Sequence, residues 1–173
     1  KIVKMKNYEW TKEALDKRVK EKIEIPFCAE MIKKEFQNFN DIKITCPDII
    51  FNNRIEIDLG GITCIVENVG GDHSLDSTVI YVKEEKVLFL GDCLGADIYN
   101  GKWSYDINTL FSLLNKLESY DADQYIESHW KPEDKEDFLS YINDMRKIAY
   151  IVKKHDGIID KIKDEAKEKL DRC

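Results

Sequence analysis

Hydrophobic positions along the chain change period twice. Over the first forty residues they recur at helical spacing: Leu15, Val19 and Ile23 fall four apart beside Trp10 and Ala14, and Phe27, Met31, Ile32, Phe36 and Phe39 follow. Pro26 separates these into two predicted helices. The period then shortens. Arg54-Ile55-Glu56-Ile57-Asp58-Leu59 alternates strictly between Asn52-Asn53 and Gly60-Gly61, which predicts a half-buried strand bounded by tight turns. A second strand is predicted from Ile62 to Val69. Thr78–Val82 and Val87–Leu90, joined by Lys83-Glu84-Glu85-Lys86, are nearly continuous apolar runs and predict a hairpin buried on both faces.

Beyond Asp92 the period is helical again, with Ile107, Leu110, Phe111, Leu114 and Leu117 on one face. Gln124–Glu127 is a short predicted strand. Pro132 suits a first helical turn, the acids Glu133, Asp134, Glu136 and Asp137 favour its positive end, and Phe138, Tyr141, Ile142, Met145, Ala149 and Val152 form its stripe. Gly157 is expected to end that helix. The last segment, with Ile159, Ile162, Ala166 and Leu170 among many charges, predicts a solvated amphipathic helix. The expected organisation is one domain over 1–173: a helical lead-in (1–40), a strand-rich part carrying the candidate chemistry (41–130) and C-terminal helices (131–173).

With 173 residues and 43% apolar residues, the chain is long enough to bury a core. Its 27 basic residues against 34 acidic ones argue against binding through phosphate neutralisation, so nucleic acid is not an expected partner. No apolar run approaches the ~18 residues of a membrane-spanning helix, and the expected location is the cytoplasm. The five cysteines show no CxxC pair and are expected to be reduced, with Cys28, Cys46 and Cys64 as small buried hydrophobes.

Candidate chemistry gathers where strands end. His73 lies in the loop Gly70-Gly71-Asp72-His73-Ser74, Asp92 follows the run Val87–Leu90 after Gly91, and His129 follows Tyr125-Ile126-Glu127-Ser128. A carboxylate at the end of a buried strand needs a partner, and two imidazoles with a carboxylate at one sheet edge suit a metal ion. The glycines beside two of the three allow the sharp turns that aim side chains into a common cavity. His155, between Lys154 and Asp156, reads as a helix-end residue without a catalytic role. Tyr99, Trp103 and Tyr105 either anchor the following helix or wall a pocket.

The stretch from Gly70 to Val82, then Lys86–Asp92, then Ile126-Glu127-Ser128-His129, resembles in order and wording the second half of the metallo-β-lactamase superfamily of hydrolases. The resemblance covers roughly Ile42 to His129. It implies an α/β fold, the C-terminal half of an αββα sandwich, with a mixed, mainly antiparallel sheet covered by helices. It also implies that His73 binds one metal, that Asp92 bridges two and is the catalytic carboxylate, and that His129 binds the other. The implied cofactor is zinc, two ions in a full-length parent, with iron or manganese as alternatives, and the implied reaction is hydrolysis of a small-molecule ester, thioester, lactone or lactam. Glu127 or Asp72 would orient the imidazoles, while Cys93 has no implied role.

The departure from the family pattern is that residues 1–72 contain no histidine, so the superfamily's His-x-His-x-Asp-His motif is not in this chain. The expectation is therefore a C-terminal piece of a longer protein, weakly active or inactive alone, with an apolar sheet face left to associate with a partner. Two alternatives stand beside the hydrolase: a non-haem iron redox enzyme on the same scaffold, and a non-catalytic partner-binding module.

Overall fold

The computed structural model describes residues 2–99 and 102–170. The chain forms two compact units, 1–50 and 51–173. The first is helical: α1 (Ile2–Met5), α2 (Lys12–Lys20), α3 (Pro26–Glu35) and a 3₁₀ turn, Phe39–Asp41. Thr11 caps α2 by accepting from the Ala14 amide, and Pro26 opens α3, where its missing N–H leaves no orphan donor. Leu15 is buried as helical spacing predicts, whereas Ile23 and Phe27 are exposed and Ala29, outside the predicted stripe, is buried. A charged residue takes part of that interior: Arg18 is 7% exposed, lies 4.8 and 4.9 Å from the Tyr8 and Trp10 rings, and donates to the Glu9 carbonyl at 2.8 Å. Aromatic faces accommodate a guanidinium where a carboxylate would otherwise be needed.

The second unit holds one six-stranded sheet in sequence order: β1 (Arg54–Asp58), β2 (Thr63–Asn68), β3 (Thr78–Val82), β4 (Val87–Gly91), β5 (Gln124–Glu127) and β6 (Glu133–Asp134). Every neighbouring pair is antiparallel except β4–β5, which are parallel and joined by the crossover helix α4 (Ile107–Glu118). Helix α5 (Lys135–Lys154) follows β6, and α6 (Ile159–Lys169) follows the turn at Gly157, whose φ of +76° ends α5 as expected. The acids before α5 divide: Asp134 caps the helix and Glu136 and Asp137 occupy its first turn, while Glu133 lies in β6. As expected, α6 has no buried residue. Among the described residues, no helix is long and apolar enough to cross a membrane.

One face of the sheet makes the core. Val79, Tyr81, Leu88, Leu90 and Tyr125 pack with Leu110, Leu113, Leu114 and Leu117 of α4 and Phe138 and Ile142 of α5. Phe138 stacks on Tyr125 at 3.8 Å between ring centroids. The expectation that the β3–β4 hairpin is buried on both faces is corrected: Ile80 and Phe89 are each 40% exposed. They belong to an apolar row that the register carries across the other face, Ile55–Val66–Ile80–Phe89–Ile126. A continuous apolar run shows that a strand is apolar on both sides, but not that both sides are covered.

The cysteine expectation is also corrected in part. Cys93 is buried, but Cys46 is exposed in a loop, and Cys28 and Cys64 are half-buried, the latter on the outward side of β2. Cys173 lies outside the described residues.

The outer strands are tied to α4 by one carboxylate. Glu67 on β2 accepts from Lys116 Nζ and the Tyr120 hydroxyl, each at 2.6 Å, with its side chain 18% exposed. Burial pushes this carboxyl up, but Lys116 and Tyr120 outweigh burial and hold it below the ordinary value of 4.5. The resulting stability is present above the unfolded value and lost as pH falls through the folded one. Glu67→Gln is expected to cost about 1–3 kcal/mol at neutral pH by urea denaturation. The difference from wild type should shrink as the pH is lowered below about 4.5.

Candidate functional site

The register of β4 and β5 decides where the site lies. These strands run parallel, so their C-terminal ends fall at the same sheet edge, and their pairing shifts at Gly91, which faces Glu127 while its carbonyl accepts from the Ser128 amide at 3.2 Å. Gly91 has φ +57°, a conformation glycine adopts without strain, and the chain turns there so that Asp92 leaves the strand. Asp92 and His129 consequently emerge side by side, with His129 Nε2 3.3 Å from Asp92 Oδ1.

His73 arrives from the loop between β2 and β3, and three contacts fix that loop. Gly71 packs so closely on the turn after Asp92 that a Cβ there would sit 2.8 Å from the Cys93 carbonyl oxygen. Asp72 Oδ1 accepts from the Asp106 amide at 2.9 Å, joining the loop to the N-terminus of α4. The ring itself lies against Gly95 and faces the Ala96 carbonyl with Nδ1 at 3.3 Å. Donation of Nδ1–H to that carbonyl places the lone pair on Nε2, which is 3.9 Å from Asp92 Oδ2. Neither Asp72 nor Glu127 therefore orients His73: the Ala96 main chain does.

The three candidates are brought together, but not around a single point. Each imidazole faces a different oxygen of one carboxylate, and among the described residues no three or more His, Cys, Asp or Glu side chains close on one metal position. The convergence expected from the sequence is thus two pairs sharing Asp92. Two ligands on one tetrahedral zinc lie about 3.4 Å apart, so the His129 pair has that spacing and the His73 pair, at 3.9 Å, is wider. Two imidazoles and a carboxylate are donors that a divalent cation would take, and the His129–Asp92 pair is the one with the spacing for it.

Behind the site, burial together with Glu133 and Asp92 pushes the Glu127 carboxyl up. Burial likewise raises the Cys93 thiol to about 12, and with 1% exposure Cys93 is a core residue, as read from the sequence. The aromatic loop does not bury its rings. Trp103 is 78% exposed and Tyr99 and Tyr105 are nearly half exposed, although the Tyr105 hydroxyl donates to the Leu94 carbonyl at 2.9 Å. His155 sits on α5's far end, 2.5 Å from Glu165 of α6, away from this site's contacts.

Two site residues escaped the sequence reading. Gly95 and Ala96 hold the His73 ring, but their only sequence signal is a second glycine shortly after Gly91. Gly95→Ala would place a Cβ 2.8 Å from His73 Nδ1 and 3.0 Å from the Asp92 carbonyl oxygen. The ring must swing away. The substitution is expected to change the His73 imidazole ¹⁵N shifts while costing only about 1–2 kcal/mol in thermal denaturation.

No family model matches the sequence, and no curated protein matches it. The fold has relatives among solved structures. The chain is similar to a metallo-β-lactamase from Pontibacter korlensis, at 24% identity over 61% of this chain and 50% of that one, with a TM-score of 0.48. It is similar to the sec-alkylsulfatase Pisa1 from Pseudomonas sp., at 19% identity over 67% of this chain and 20% of that one, with a TM-score of 0.50. It is also similar to the Flv1 flavodiiron core from Synechocystis sp., at 18% identity over 72% of this chain and 35% of that one, with a TM-score of 0.46. The chain thus spans half or less of each of these structures. The likeness to the sec-alkylsulfatase, over 67% of this chain, is one of fold: a mixed six-stranded sheet with helices.

Proposed function

We propose that this chain supplies one half of a dinuclear metal centre, zinc by preference, in a hydrolase of a small ester, thioester, lactone or lactam. The observation that carries the reading is the shared carboxylate: Asp92 Oδ1 and Oδ2 each face the Nε2 atom of a different histidine. A structural carboxylate at a strand end needs one partner, and a carboxylate between two imidazoles has the arrangement of a bridge.

Divalent cations there would supply Lewis-acid polarisation of the scissile oxygen and a water nucleophile at neutral pH. The protein's own contribution is positioning. Ala96 and Gly95 hold His73 with Nε2 towards the site, the Gly91 turn aims Asp92, and the β4–β5 pairing sets His129 beside it. With two ligands per cation, the chain alone is expected to bind metal and to hydrolyse weakly or not at all.

The same donor set suits non-haem iron, which keeps a redox enzyme as the second reading. The apolar row Ile55–Val66–Ile80–Phe89–Ile126 is the surface proposed for a partner, and sedimentation velocity is expected to show concentration-dependent association.

Calorimetric titration of the full 173-residue chain with zinc tests the reading. Saturable binding in the micromolar range or tighter, reversed by a chelator, is the expected result. Heat indistinguishable from buffer would overturn it. Comparable binding of ferrous iron with poor binding of zinc would favour the redox reading.

A further inference from the structure

The three loops that carry His73, Asp92 and His129 also carry the most exposed large apolar side chains of the unit that contains them. Leu75 is 89% exposed, Trp103 78% and Trp130 74%. Any one of these would need no explanation. Their distribution does, because each lies in a different loop and each loop bears a different site residue.

The backbone ties both tryptophans to the site. Trp130 directly follows His129. Trp103 precedes Ser104, which exchanges both main-chain hydrogen bonds with Asp97, at 3.0 and 3.3 Å; Asp97 in turn follows Ala96, the residue facing the His73 ring. The base of that loop is held from the other side by the Tyr105 hydroxyl on the Leu94 carbonyl. The Trp103 loop is therefore anchored at its base, and the loop of Trp130 is held where the Ser128 amide donates to the Gly91 carbonyl. An exposed, rigidly based aromatic contributes contact area at little cost in side-chain entropy.

Charge narrows what the loops can receive. Glu133 and Asp92 both act on Glu127, and Asp106 and Asp97 both act on Asp72. The Trp103 loop itself carries Asp97 and Asp106, so a polyanionic substrate would meet carboxylates there, whereas an apolar body would meet tryptophan and leucine.

We propose that Leu75, Trp103 and Trp130 form an apolar rim that selects substrates with a hydrocarbon or aromatic body attached to the hydrolysed group, such as medium-chain acyl esters or thioesters, over small polar ones. The inference rests on the hydrolase reading for the reaction but on the rim alone for the recognition. Lys102 and Lys131 stand next to the two tryptophans, which makes an anionic bilayer the competing occupant.

The test uses the three indole N–H signals of the ¹⁵N-labelled full chain, assigned by single substitution, with zinc binding measured on the same samples. Sodium octanoate is expected to shift the Trp103 and Trp130 signals and not that of Trp10. Its affinity should exceed that of acetate at least tenfold, with and without zinc, and the Trp103→Ala, Trp130→Ala double variant should lose at least tenfold in octanoate affinity while keeping its zinc affinity. Equal response to acetate and octanoate, or an unchanged octanoate affinity in the double variant, would overturn the rim. So would a response to phosphatidylserine vesicles without one to octanoate. Octanoate binding at the tryptophans with no zinc binding would uphold the rim and sink the metal reading, while zinc binding without octanoate binding would do the reverse.

Discussion

Asp92→Ala is expected to lower the zinc affinity of the chain more than about hundredfold, a larger loss than either histidine substitution alone. Both imidazoles face this one carboxylate, at 3.3 and 3.9 Å, so in the proposed centre its removal would take a ligand from both positions at once. His73→Ala or His129→Ala removes a ligand from one position and leaves the other pair standing. Asp92 is 40% exposed at its side chain, and its loss opens no cavity, so thermal stability should stay within about 0.5 kcal/mol of wild type. Metal content by plasma mass spectrometry, alongside thermal denaturation of the same samples, separates loss of site from loss of fold. A variant that keeps wild-type zinc would mean that Asp92 is only a partner for two histidines.

Gly71→Ala carries the largest expected cost in stability, about 3 kcal/mol, because two penalties coincide. Gly71 has φ +125°, where an alanine is strained, and its Cβ would lie 2.8 Å from the Cys93 main-chain oxygen and 3.3 Å from Leu113 Cδ2. A backbone carbonyl cannot rotate aside as a side chain can. The loop must lift from the turn that follows Asp92, and His73 must lift with it. Urea denaturation should show the lost stability, and zinc titration below the unfolding transition should show the His73 position weakened. Gly60→Ala is the control: its φ of +81° carries strain, but nothing lies within 4 Å of the added carbon, so the difference between the two variants isolates the clash.

Much of the second unit was legible in the sequence because each strand carries its own signal. The alternation in Arg54–Leu59, the runs Thr78–Val82 and Val87–Leu90, and the stripe from Ile107 to Leu117 all became elements within a residue or two of their expected ends. β6 was not legible, since Glu133 and Asp134 have no apolar pattern and become a strand only by pairing with Tyr125 and Gln124. Nor was the half-exposed outer face of the hairpin, because covering depends on what packs there and not on the strand itself. The helical lead-in misled differently: Phe27 and Ile23 keep the right spacing, yet Arg18 between two aromatic rings takes an interior place.

For the site, the residue types and their strand-end positions pointed to His73, Asp92 and His129, but the way they meet is a property of register. One bulge at Gly91 separates a pair of facing ligands from two side chains on opposite sides of a strand. The support of His73 was invisible for the same reason. Ala96 acts through its carbonyl and Gly95 through the side chain it lacks, and neither contribution is written in a residue type.

The chain contains only three histidines, which makes one experiment decisive. A long-range ¹H–¹⁵N spectrum of the imidazole nitrogens, recorded through a zinc titration at neutral pH, reports each ring's tautomer and the nitrogen that meets the metal. The geometry predicts that Nε2 of His73 and Nε2 of His129 move together to metal-bound shifts, that His73 keeps its proton on Nδ1, and that His155 does not change. Zinc-induced shifts confined to His155, or no shift at His73 and His129 under saturating zinc, would contradict the shared-carboxylate centre.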